Sequence, residues 1–235
     1  MQKVLEVHSV EKSYGGTKVL NHCSFHVNAG EIYGLLGVNG AGKTTLMKMI
    51  LGLQRIDGGS ISVLSEDVSN GPAYLVNVGS VIENPAFYEH LSAEKLLSMH
   101  LCYMQKQANI AELLHLVGLH NAGDKPISRY SLGMKQRLGL ARAIIHRPKL
   151  LILDEPLNGL DPVAIAEMRE RMRVLASSGM SILLSSHIIG EVWHTADRVG
   201  ILSEGHIKQE FSVKEKAAEY GAHFDDYVIG LMKGD

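Results

Sequence analysis

Gly37-Val38-Asn39-Gly40-Ala41-Gly42-Lys43-Thr44 decides how the rest of this chain is read. The stretch fits G-x-x-x-x-G-K-[ST] at every fixed position. Ahead of it, Ile32-Tyr33-Gly34-Leu35-Leu36 is a short apolar run of the kind that forms a buried strand. Behind it, Thr45 to Leu51 has helical character. Strand, glycine loop, helix is the setting that gives the spacing its physical meaning. Glycines let successive N–H groups converge on an anion. The start of the following helix brings the positive end of its dipole to the same point. Lys43 is then placed to reach β- and γ-phosphates, and the Thr44 hydroxyl to ligate Mg²⁺. Gly37, Val38, Asn39, Gly40, Ala41, Gly42, Lys43, Thr44 and Thr45 are the expected phosphate-binding residues.

Composition bounds the rest. The 235 residues suffice for one large α/β domain, or for a domain carrying a small inserted subdomain. Hydrophobic residues make up 46%, enough for a real core. The formal net charge of −2 provides no global basic field, so no nucleic-acid partner is expected. Cys23 and Cys102 lie far apart, which argues for a reducing compartment without a disulfide framework. Both read as small buried hydrophobes. Charge enters at Lys3 and Glu6, before a signal-peptide apolar region could form. No apolar run approaches the ~18 residues of a membrane span. A soluble, cytoplasmic chain is expected, with any membrane role exercised through a partner.

Along the chain, Val4–Val10 and Lys18–Val27 read as an antiparallel pair around Tyr14-Gly15-Gly16. Asp57-Gly58-Gly59 reads as a turn, Ser60–Leu64 as a short strand, and Val78–Ile82 as a buried strand. From about Ser92 to His146 helical patterns take over. Asn109 with Glu112 resembles a capping box, and Gly118 fits the position just past a helix end. Arg137–Ile145 continues as a helix ending before Pro148. Strand-type sequence returns at Leu150–Leu153 and Ser181–Ser185. Between them Asp161-Pro162 opens a helix running to about Ser177. Val199–Leu202 and His206–Glu210 flank Glu204-Gly205 as a hairpin, and the tail after Phe211 suggests one weak helix. The methionines Met47, Met49 and Met99 read as packing residues and Trp193 as core. His115, His120 and His146 read as helix caps or solvent-facing groups.

Leu150-Leu151-Ile152-Leu153-Asp154-Glu155-Pro156 narrows the chemistry. Four apolar residues make a buried strand with two carboxylates at its C-terminal end, where open α/β sheets collect ligands. Asp154 is expected to hold Mg²⁺, directly or through water. Glu155 stands one residue further, placed to polarise the attacking water as general base.

With these pieces in order, the chain resembles the nucleotide-binding subunit of ABC transporters over nearly its whole length. Tyr130-Ser131-Leu132-Gly133-Met134 lies about twenty residues before Asp154, where the family carries its signature L-S-G-G-Q. Leu160-Asp161 matches the D-loop, Ser185-Ser186-His187 the switch histidine, and Tyr14 the aromatic that stacks on adenine. Two departures stand out: Leu132 and Met134 replace the consensus glycine and glutamine, and Glu83 replaces the Q-loop glutamine. Ile82-Glu83-Asn84-Pro85-Ala86-Phe87-Tyr88 and Tyr130-Ser131-Leu132-Gly133-Met134-Lys135-Gln136-Arg137 both resemble the subgroup of bacitracin-resistance and lantibiotic-immunity exporters.

The resemblance implies a P-loop NTPase core of the ABC ATPase type with an antiparallel β subdomain and an inserted helical subdomain. The core would comprise 1–84 and 148–210, the helical signature subdomain about 85–147, and a C-terminal tail 211–235. It implies ATP and Mg²⁺ as cofactors, with Thr44, Asp154 and Glu83 toward the metal and Glu155 and His187 catalytic. Two subunits would pack head to tail, each ATP lying between one phosphate loop and the partner copy's Ser131 and Gly133, with Asp161 working across the interface. A membrane-spanning permease would dock beside Glu83–Tyr88, leaving the subunit peripheral on the inner face of the plasma membrane. The rival readings are a soluble ABC ATPase of DNA repair or translation, a transporter of unrelated cargo, a P-loop kinase or GTPase, and an ATP clamp without catalysis. Repair members carry a long coiled-coil insert and translation members two nucleotide domains. No Asn-Lys-x-Asp guanine motif appears, and Glu155 argues against a mere clamp.

Overall fold

The structure is a computed structural model and describes residues 2–220 except positions 84 and 123. Two sheets share the work. The first is antiparallel and four-stranded, in the order β2-β1-β4-β5. It comprises β1 (Lys3–Tyr14), β2 (Thr17–Asn28), β4 (Gly58–Val63) and β5 (Glu66–Asp67). The second has six strands in the order β10-β9-β3-β8-β7-β6. Its members are β3 (Ile32–Leu36), β6 (Val78–Val81), β7 (Leu150–Leu153), β8 (Ser181–Ser186), β9 (Arg198–Ser203) and β10 (His206–Ser212). Within it β6, β7, β8, β3 and β9 run parallel, and β10 returns antiparallel beside β9. The described helices are α1 (Lys43–Ile50), α2 (Ala93–Met104), α3 (Ile110–Leu116), α4 (Leu132–Ile144), α5 (Pro162–Ser177), α6 (Ile189–Trp193) and α7 (Val213–Tyr220).

The parallel sheet is apolar on both faces because both are covered, which is why its strands read as unbroken hydrophobic runs. Strand alternation sends Ile32, Leu36, Leu151, Leu153, Ile182 and Leu184 into one core, which also holds residues of α2, α3, α4 and α5. It sends Tyr33, Leu35, Leu150, Ile152 and Leu183 into the other, with Leu46, Met47, Met49 and Ile50 of α1 and the inner face of the antiparallel sheet. α1 is therefore clamped between two sheets. Truncating one of these fully buried leucines to alanine costs roughly 2–5 kcal/mol, so the position of the loop before α1 is fixed by the core beneath it.

Several expectations are corrected. The hairpin strands are longer than the alternation suggested, and the turn reduces to Gly15-Gly16, with Tyr14 inside β1. Gly58 and Gly59 belong to β4 rather than to a turn. The signature helix begins at Leu132 rather than near Arg137, because the Ser131 hydroxyl accepts from Met134 N at 3.3 Å and caps it. Met47 and Met49 are buried, but Met99 is 52% exposed on the outer side of α2. Cys23 is buried, whereas Cys102 is exposed. Trp193 is partly buried against the larger core. His146 is half-buried and bonds the Val78 carbonyl through Nε2 at 3.2 Å, whereas His115 and His120 stack on each other at the surface, ring centroids 4.8 Å apart. α7 matches the start of the helix expected in the tail; positions 221–235 lie outside the described residues.

Candidate active site

The phosphate-loop residues, Asp154, Glu155 and His187 arrive at one place, the C-terminal ends of β3, β7 and β8. β3 delivers the glycine loop. Gly42, at φ +105, is a left-handed position that glycine adopts without penalty, and it opens α1 with no side-chain cap on the helix amides. Those amides are left to bond something else, which is the condition for an anion site. Lys43 is buried at 5% exposure. Its ammonium donates to Gly37 O at 2.7 Å and Val38 O at 3.3 Å and lies 3.1 Å from Glu155 Oε1. A buried ammonium needs such partners.

β7 ends in Asp154, which is 4% exposed and accepts on both oxygens. Thr44 Oγ1 donates to Oδ2 at 2.7 Å, and Ser185 Oγ of β8 donates to Oδ1 at 2.6 Å. The next residue, Glu155, sits at φ +48, a backbone region that non-glycine residues occupy at a cost. Its N–H donates to Ser185 Oγ at 2.9 Å, its carbonyl accepts from Asn158 N at 3.1 Å, and its Oε2 lies 2.8 Å from His187 Nδ1. Lys43, Glu155 and His187 thus form one chain of contacts, and Thr44, Asp154 and Ser185 another, joined at Ser185.

A cavity of about 380 Å³ opens above this cluster, lined by Tyr14, Val19, Asn39, Gly40, Gly42, Lys43, Thr44, Thr45 and Glu155. Tyr14 is 44% exposed at its rim, with Lys12 Nζ 5.5 Å from its ring centroid. One wall is aromatic and the floor is cationic and rich in N–H donors, a match for a base and its phosphates. The donors around Asp154 are all oxygens, and no group of three His, Cys, Asp or Glu residues suited to a metal is found among the described residues. Such a set suits a hard cation that completes its shell with phosphate oxygens and water.

Glu83 does not join this cluster. It is exposed, at φ +57, and its Oε1 pairs with Lys48 Nζ of α1 at 2.7 Å. The Glu83 carboxylate, with Asp154 behind it, holds the Lys48 ammonium above its ordinary pKa. Ser131, Gly133 and Asp161 also lie outside the cavity. Ser131 caps α4, and Asp161 caps α5 by accepting from Val163 N and Ala164 N. A Cβ on Gly133 would stand 3.7 Å from Leu160 and from Ala164, so the two helix starts are neighbours on one open surface. A larger cavity, about 1070 Å³, lies beside the opposite ends of β7 and β8, lined by residues such as Leu113, Ile144, Pro148, Leu175 and Met180. It is remote from this chemistry. Sequence reading gave Ser185 and Lys48 no part in the site. The signal for Ser185 is a hydroxyl directly after the apolar run Ile182-Leu183-Leu184; for Lys48 there is none short of the fold.

Residues 20–158 match the ABC transporter family. The chain belongs to that family, as an ATP-binding subunit. Family membership makes it an ATPase. An uncharacterised ABC transporter ATP-binding protein of Bacillus subtilis is 44% identical over 219 residues, covering 92% of this chain and 71% of its relative. The bacitracin transport ATP-binding protein BcrA of Enterococcus faecalis is 43% identical, covering 92% and 71%. The lantibiotic transport ATP-binding protein SrtF of Streptococcus pyogenes is 42% identical, covering 92% and 95%. A solved ATP-binding subunit of an ABC transporter superposes with a TM-score of 0.85 at 32% identity, over 97% of this ABC subunit and 99% of that chain. These relatives are named as ATP-binding proteins of transport systems. No described helix is long and apolar enough to cross a membrane.

Proposed function

We propose that this subunit binds ATP with Mg²⁺ in the cavity over Lys43 and hydrolyses it to drive export of, or immunity to, a peptide antibiotic. The observation that carries the reading is the convergence of Lys43, Thr44, Asp154, Glu155 and His187 in one bonded cluster, with Ser131 and Gly133 outside it. The phosphates replace the carbonyls and the Glu155 carboxylate as partners of Lys43, which frees Glu155 to take a proton from the attacking water. His187 holds Glu155 and then the γ-phosphate or the water. Thr44 and Asp154, with Glu83 further out, would hold Mg²⁺, which would supply neutralisation of the charge developing on the phosphates. Tyr14 stacks on the adenine. Gly37 to Thr45 wrap the phosphates.

Because Ser131, Gly133 and Asp161 lie outside the cavity of their own chain, they serve a second copy packed head to tail. Residues 85–147 act as the subdomain that carries this surface. The face beside Glu83–Tyr88 receives a short helix of the permease at the inner side of the plasma membrane. Tyr88 is 62% exposed there, while Phe87 is partly buried beneath Arg142, whose guanidinium carbon is 5.0 Å from the ring centroid. The cargo class rests on the names of the bacitracin and lantibiotic relatives.

Glu155→Gln tests the chemistry. Phosphate release falls by about 10²-fold or more, the usual worth of a positioned general base, while binding of a fluorescent ATP analogue persists. Equal turnover in the two proteins removes Glu155 from its role. Dilution tests the pairing: hydrolysis per subunit falls through the micromolar range, and a constant rate speaks for a self-sufficient monomer.

A further inference from the structure

We propose that Ser185 is a positioning residue of the hydrolytic centre, its single hydroxyl locking Asp154 and Glu155 to each other. This rests on the reading of Asp154 and Glu155 given above. Ser185 is fully buried at the end of β8, at 0% relative exposure. A buried hydroxyl is a liability unless it is bonded. Here it makes two bonds, and both go to the acidic pair: it donates to Asp154 Oδ1 at 2.6 Å and accepts from Glu155 N at 2.9 Å. The first bond ends to a carboxylate and belongs to the strong class. It occupies Oδ1 and leaves Oδ2 on the side of Thr44, whose hydroxyl reaches it at 2.7 Å. The second bond holds Glu155 at its left-handed φ of +48, so that its carboxylate points between Lys43 and His187. One oxygen therefore sets which Asp154 oxygen faces a cation and where the Glu155 carboxylate starts.

The adjacent Ser186 provides a matched control. Its hydroxyl is also buried, but it donates to Glu191 Oε2 at 2.6 Å and accepts from Ile188 N at 3.0 Å, touching neither acid. Mg²⁺ demands near-ideal octahedral geometry, so a carboxylate free to turn is a poorer ligand. Losing a partner that orients a metal ligand typically costs 10- to 100-fold in metal affinity or activity.

The test titrates Mg²⁺ against binding of a fluorescent ATP analogue to the full chain, beside thermal melting. Ser185→Ala raises the Mg²⁺ half-saturation about ten-fold, leaves analogue affinity without Mg²⁺ near wild type, and lowers kcat more than it changes KM. Ser185→Thr, which keeps the hydroxyl, restores the Mg²⁺ dependence. Ser186→Ala lowers the melting temperature without moving the half-saturation. A folded Ser185→Ala protein with wild-type Mg²⁺ dependence overturns the proposal, as does an equal shift in Ser186→Ala. Should Ser185→Ala fail to fold, Ser185→Cys, similar in size with a weaker donor, takes its place under the same criterion. Asp154→Asn separates the two levels. If it leaves the Mg²⁺ dependence unchanged, the underlying reading of Asp154 falls. If it shifts that dependence while Ser185→Ala does not, only the role of Ser185 falls.

Discussion

Two helix starts in this chain, those of α1 and α4, obey the same electrostatics and are finished to different degrees. α1 begins at a glycine with no side-chain cap, beneath a cavity walled by β1, the glycine loop and the end of β7. Its lysine, threonine and acids all have partners inside the chain. α4 begins at the exposed Ser131, which caps its own helix, and Leu132 beside it is 45% exposed. Among the described residues the start of α4 has Leu160 and Ala164 beside it on an open surface, not a walled cavity. A helix dipole without walls is screened by water and binds little. The difference teaches that the start of α1 is walled within this chain while the start of α4 lies open, as the head-to-tail pairing proposed above requires.

One substitution made in the α4 start and in the loop that leads into α1 breaks or sharpens this contrast, because the two glycines, Gly133 and Gly37, are confined by different things. Gly133→Ala is the larger functional effect. Its new Cβ would meet Leu160 and Ala164 at 3.7 Å, ordinary van der Waals contact, so this chain itself tolerates it. Melting and ATP binding stay at wild type, yet hydrolysis falls about 100-fold, the scale of losing one donor against developing charge. Unchanged hydrolysis would mean that the γ-phosphate never approaches this surface. Gly37→Ala reverses the pattern. Its Cβ would land 2.5 Å from the Leu202 carbonyl, so β9 must shift. Overpacking of this kind costs about 1–3 kcal/mol, or several degrees of melting temperature for a domain of this size, seen by scanning calorimetry with and without nucleotide.

The same contrast explains what the sequence disclosed. The walled half is written in short, contiguous pieces: a strand, a glycine loop and a helix, then four apolar residues and two acids. Each piece fixes its own geometry locally, so Lys43, Thr44, Asp154 and Glu155 could be placed from residue types alone. Tyr14 and His187 came from resemblance, and the fold brings Tyr14 to the cavity rim and His187 against Glu155. What stayed hidden depends on contacts across the chain. The bond from Ser185 to Asp154 spans 31 residues and the pair of Lys48 with Glu83 spans 35; the hydroxyl after the apolar run marks Ser185 but not its partner, and nothing local marks Lys48. Exposure was misjudged at Met99 and Cys102 because α2 turns one side to solvent and periodicity in a short helix does not say which side. The start of α4 was placed late because Leu132 to Met134 carry no polar stripe; only the Ser131 cap announces it.

A smaller effect separates the edge of the walled half from its floor. Lys48 and Glu83 are 35% and 64% exposed in their side chains, so their pair contributes less than about 1 kcal/mol to stability. Its consequence is electrostatic instead. Lys48→Gln leaves the Glu83 carboxylate uncompensated on the approach to the phosphates, and nucleotide binding weakens a few-fold at low salt. Glu83→Gln alone strengthens it slightly, and the double variant returns toward wild type. A binding cycle that shows no coupling at low salt, or the same coupling at high salt, removes this charge-balance account.

The smallest effect lies where the helical layer meets β6, far from either helix start. His100 of α2 and His146 after α4 have ring centroids 6.2 Å apart, and neither His100 Nε2 nor His146 Nδ1 finds a partner among the described residues. Burial holds His100 below the usual histidine value, with Arg142 and His146 acting in the same direction. Burial also lowers His146, opposed by its bond to the Val78 carbonyl and aided by Lys106. A base with a depressed folded pKa takes up its proton more readily when unfolded. Its contribution is therefore complete above the ordinary histidine pKa, near 6.5, and is lost as pH falls below that toward the folded value. Melting temperature accordingly drops by a few degrees between pH 7.5 and 5.5 while ATP binding at pH 7.5 is untouched. His26, lowered by burial and by Arg198, adds to the same slope, so His100→Leu flattens the dependence without abolishing it. A slope identical in wild type and His100→Leu assigns the acid sensitivity elsewhere and leaves the junction of α2 with the end of α4 as plain packing.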